Sequence, residues 1–93
     1  MTLGARVSRL LNKEYNEIDP ELLDMGIREL KASDLCPEFD ETWKVDPFRN
    51  VFTRTTIGVM VYTGYDNMIN IRFDEELFDN IEDLRRQSDK FKA

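Results

Sequence analysis

Residues 51–73 read VFTRTTIGVMVYTGYDNMINIRF, and this stretch decides the fold class. Val51, Ile57, Val59 and Val61 fall on one side of an extended chain rich in Val, Thr, Ile and Phe, so residues 51–63 are expected to form a long β-strand. Ile69, Ile71 and Phe73 alternate in the same way across residues 68–73, which predicts a second strand. The five residues between them, Thr63 to Asn67, supply the Gly, Asp and Asn of a hairpin loop. An antiparallel β-hairpin across Gly64 is therefore the centre of the expected fold.

Upstream of the hairpin the period changes from two to about 3.6. Leu3, Val7, Leu10 and Leu11 share one helical stripe that Thr2 can cap, which predicts a first helix over residues 3–14. Asp19-Pro20-Glu21 is a helix start, and Leu23, Ile27 and Leu30 carry the apolar stripe of a second helix reaching to about Ala32. Gly26 in its interior costs roughly 1 kcal/mol relative to alanine, and either allows a close helix contact or is simply tolerated. From Ser33 to Phe48 the period is lost between Pro37 and Pro47, yet Leu35, Cys36, Phe39, Trp43, Val45 and Phe48 make this an ordered, partly buried connection. Within it, residues 42–45 could form a short strand.

Downstream of the hairpin, Asp74 has the chemistry of an N-cap. Leu77, Ile81, Leu84 and Phe91 then share a stripe, with acids near the start and Arg85, Arg86, Lys90 and Lys92 near the end. The expectation is a single α+β domain over residues 1–93: two N-terminal helices, an irregular segment with a short strand, an antiparallel hairpin and a C-terminal helix. Such a hairpin leaves residues 51–56 without a partner, and an open strand edge of that kind invites self-association, so a homodimer is expected from it.

Composition bounds the function. With no histidine, the usual serine and cysteine triads, most zinc sites and the commonest neutral-pH base are missing. The single cysteine, Cys36, has no activating partner and reads as a buried structural thiol. Four glycines, at positions 4, 26, 58 and 64, match neither a phosphate-binding loop nor a dinucleotide fingerprint, and no calcium loop is present, so no cofactor is expected. Glu38, Asp40 and Glu41 are close enough in sequence to share a site, but a paired-carboxylate hydrolase needs a cleft that a 93-residue domain rarely builds. The chain is not expected to be an enzyme.

No apolar run reaches the roughly twenty residues that a membrane span requires, and no signal-peptide pattern opens the sequence. The expected compartment is the cytoplasm, or an infected host's cytoplasm were the source viral, where a lone thiol stays reduced. The net charge of −6 opposes direct contact with nucleic acid or anionic lipid. Charge is concentrated in residues 14–46, which hold eleven acids against three bases.

Recognition by surface is what remains. Glu38, Asp40, Glu41, Trp43, Asp46 and, at the hairpin turn, Tyr65 are the candidate partner-binding residues, an aromatic and acidic mixture of the kind found at protein interfaces. Phe39, Phe48 and Tyr62 extend the aromatic set, although the core has first claim on Trp43 and Phe48. The expected function is a small inhibitor, adaptor or regulator that meets a basic protein partner, with DNA mimicry as one version. The alternative is a structural subunit assembling through its strand edge or an apolar helix face.

Overall fold

Thr2 and Asp19 start the first two helices as their chemistry predicts. The computed structural model describes residues 1–64 and 67–77. Helix α1 (Leu3–Leu11) begins where Thr2 Oγ1 accepts from Ala5 N at 3.1 Å. It stops three residues short of the expected end, because Asn12 turns left-handed and donates to the Arg9 and Ser8 carbonyls. One 3-10 turn (Tyr15–Glu17) leads to α2 (Pro20–Glu29), where Asp19 Oδ1 accepts from Glu21 N at 3.0 Å.

Four departures correct the architecture expected from sequence. First, a third helix, α3 (Ala32–Leu35), follows α2; a single turn shows no period to read, and Asp34 Oδ2 starts it by accepting from Lys31 N at 3.0 Å. Second, the short strand is a full one. Strand β1 (Lys44–Arg49) pairs antiparallel with β2 (Thr56–Tyr62), which pairs with β3 (Met68–Arg72), giving the order β1-β2-β3.

Pro47 lies in the middle of β1, and the register explains why it is tolerated. Thr63 N donates to Asn67 O and Phe73 N to Ile57 O, so the odd-numbered residues of β2 face β3 and the even-numbered ones face β1. Opposite those lie Lys44, Asp46 and Phe48, which leaves the backbone of Pro47 pointing away from the sheet, where a missing N–H costs no ladder bond.

Third, residues 51–55 are a turn rather than strand, since β2 begins at Thr56. The unpaired strand edge proposed at residues 51–56 is not there, and the homodimer argument built on it falls. Fourth, the expected helix start at Asp74 is overturned. Leu3 N donates to Glu75 O at 2.9 Å, Leu77 N donates to Met1 O at 3.0 Å, and Thr2 bridges to Glu76. The N-terminal residues thus take backbone groups that a helical turn would have needed, and Asp74 pairs with Arg72 at 3.5 Å instead of capping. The rest of the expected C-terminal helix, residues 78–93, lies outside the described residues, as does Tyr65.

The fold is α+β, with three N-terminal helices followed by a three-stranded antiparallel sheet. Val45, Val61 and Ile69 align across the strands, as do Pro47, Val59 and Ile71, and this face is buried with Leu3, Val7, Ile27 and Leu35 from the helices. Each fully buried Leu, Ile or Val contributes roughly 1.5–3 kcal/mol. Cys36 is 2% exposed inside that core. A thiol reagent in native buffer should therefore leave Cys36 unmodified and react with it at the rate of global unfolding in denaturant. Fast reaction in native buffer would contradict the burial.

Candidate functional site

Trp43 stands at the entrance to β1, in a segment whose backbone is bonded at each turn. Phe39 N donates to Cys36 O at 3.0 Å and Trp43 N to Asp40 O at 3.1 Å. Asp40 Oδ1 accepts from both Thr42 N and Thr42 Oγ1, at 2.9 and 2.7 Å, which closes an Asx turn. Phe39 is buried, and its ring meets the Trp43 indole at a centroid distance of 5.7 Å and an angle of 47°. Trp43 is thus partly buried, packed against the edge of the core.

Concavities flank it on both sides. One, of about 990 Å³, opens over the sheet face away from the helices and is lined by Thr42, Trp43, Lys44, Asp46, Tyr62, Thr63 and Gly64. Thr63 Oγ1 is buried there and has no hydrogen-bond partner among the described residues. The other, of about 430 Å³, lies between the end of α2 and the edge of β1, with Arg28, Lys31 and Glu41 on its rim.

Of the predicted contact residues, Glu41, Trp43 and Asp46 converge on these concavities. Glu38 and Asp40 are exposed on the turns leading to Trp43. Their acidity is partly committed: Asp46 Oδ1 accepts from Arg28 Nε at 3.3 Å, and Asp40 holds its turn. The acidic surplus of residues 14–46 shrinks further, because Asp34 starts α3 and Asp24 is buried, bonded to Arg49 and to Thr56 Oγ1. Asp34 and Asp40 are committed locally, within three residues, whereas Asp24 and Asp46 take tertiary partners that the sequence does not disclose. Among the described residues, no group of three Cys, Asp or Glu side chains could hold a metal ion.

A second feature escaped the sequence reading. Val51 and Phe52 are 82% and 92% exposed at the tip of the β1–β2 connection. Asn50 Oδ1 accepts from Phe52 N at 2.8 Å and Thr53 N at 3.2 Å, while Arg54 N donates to Asn50 O and Asn50 N to Thr55 O. Arg54 is left-handed at φ 60°. Asn50 was the signal for a turn, masked by the strand propensity of Val, Phe and Thr around it.

No protein-family model, curated protein or solved structure matches this chain. Among the described residues, no helix is long and apolar enough to cross a membrane.

Proposed function

We propose that this domain is a non-catalytic, cytoplasmic protein-binding module whose partner presents a basic segment to the groove around Trp43. The observation that carries the reading is the convergence of Glu41, Trp43 and Asp46 on two adjoining concavities. An arginine or lysine there would meet the Tyr62 ring, with Glu41 and Asp46 to balance its charge. Arg28, Lys31 and Lys44 interrupt the acids, which favours a mixed-charge protein surface over imitation of a continuous phosphate row.

Trp43 is the sole tryptophan, so its emission reports occupancy directly. Titration with a short arginine-bearing peptide should shift that emission, and Glu41→Lys should weaken the interaction about three- to tenfold. Asp40 is best left intact, because its reversal would open the Thr42 turn. Raising the salt should weaken the wild-type interaction too, since screening acts over roughly 8 Å at physiological ionic strength. Emission that ignores the peptide, or binding indifferent to both salt and Glu41→Lys, would move the contact surface away from Trp43.

A further inference from the structure

The exposed tip at residues 50–55 lies at the far end of β1 from Trp43, roughly 20 Å along the strand. Two apolar side chains at such exposure are costly on a domain with little core to spare. They are also held still: the side-chain and main-chain bonds of Asn50 fix the turn, and Thr53 and Thr55 hydroxyls meet at 2.7 Å. Arg49 and Thr56, at the two ends of the turn, both bond Asp24 of α2. A contact made by this loop would lose little conformational freedom, which is the condition for a strong apolar anchor.

Beside the tip is a cleft of about 490 Å³, within the range of roughly 300–1,000 Å³ that admits small organic groups. Tyr15, Ile18, Pro20 and Leu23 give it a mainly apolar lining, the Asp24–Arg49 pair closes its floor against further charge, and Glu21 is exposed among its lining residues. Tyr15 is braced from behind by Phe73, at a ring distance of 4.2 Å. Arg54, Thr55 and Thr56 of the tip form the opposite wall. Among the described residues neither Glu21 nor Arg54 has an ion-pair partner.

One chain therefore carries an apolar, cationic projection next to a mainly apolar cleft that bears an exposed acid, with a wall common to both. A chain's own Phe52 does not fill its own cleft, since it points to solvent. We infer that the occupant is a second copy: Val51 and Phe52 of each protomer enter the cleft of the other, and Arg54 of each faces Glu21 of its partner, the two protomers being related by a two-fold axis. Adjacency of projection and cleft is what such an isologous contact requires, because one rotation then satisfies both sites at once. This dimer uses a surface separate from the Trp43 groove and from any strand edge, so either can fail without the other.

Sedimentation equilibrium of the full chain over a wide concentration range tests it. The expected result is a monomer–dimer equilibrium that Phe52→Ser weakens about tenfold or more, with an unchanged thermal melt at concentrations where the wild type is monomeric. Arg54→Glu should weaken it about threefold, and adding Glu21→Arg to Arg54→Glu should restore it. A monomeric mass at every concentration would overturn the inference. So would a dimer indifferent to Phe52→Ser, or a monomer whose Phe52-dependent binding is to phosphatidylcholine vesicles instead.

Discussion

Gly58→Ala should lower the unfolding free energy by about 3 kcal/mol and the thermal midpoint by about 15 °C, measured by denaturant and thermal unfolding followed through Trp43 emission. Gly58 sits in the central strand opposite Arg72. A Cβ built there would lie 2.0 Å from the Ile71 carbonyl oxygen and 2.8 Å from the Arg72 Cα. Both are backbone atoms of β3, so no rotamer change relieves the overlap. Relief requires β3 to move off β2, and Ile69 and Ile71 are fully buried on that strand. Gly26 is the internal control. A Cβ there meets only the Leu11 side chain, at 3.0 Å, which can turn aside, and alanine then recovers helix propensity worth about 1 kcal/mol. Gly26→Ala should therefore stay within about 1 kcal/mol of wild type. Equal losses at the two glycines would show that strand separation is not the origin of the cost.

The same contrast between local and distant causes explains what the sequence disclosed. Thr2 and Asp19 cap helices with atoms two or three residues away, and the β2–β3 hairpin follows from alternation and a turn within one stretch; these features were legible. Asp74 has the same cap chemistry as Asp19, yet no helix begins there, because Met1 to Leu3 bond Glu75 to Leu77 from the other end of the chain. Pro47 bounded the stretch without a period, and only the register of β2 against β3 fixes which way its backbone points. Val51 and Phe52 have strand propensity, but Asn50 and a left-handed Arg54 bend the chain before β2 can start. At the site, Trp43 and Glu41 could be singled out by residue type. The commitment of Asp46 to Arg28, eighteen residues earlier, could not.

Asp24 is the clearest case of a residue whose role depends on tertiary partners, and it supplies an asymmetric prediction. Its carboxylate is buried on α2, bonded to the Arg49 guanidinium and, at 2.5 Å, to Thr56 Oγ1. Arg49 is about half exposed. Asp24→Ala removes both bonds, but the freed guanidinium turns to water and alanine improves the helix, so the loss should be about 2 kcal/mol. Arg49→Ala should cost more, about 3 kcal/mol even after allowance for the exposure of the pair, because it leaves a buried carboxylate with one hydroxyl for company. The surface partner is thus the more damaging to remove. In the double variant the stranded charge is gone, so its loss should fall well short of the sum of the single ones. Both single variants should also speed amide exchange at Arg54, whose N–H bonds Asn50 O in the turn above the Asp24 contact. Additive losses, or exchange at Arg54 unchanged in both, would mean that Asp24 neither shields its charge through Arg49 nor holds the base of the tip.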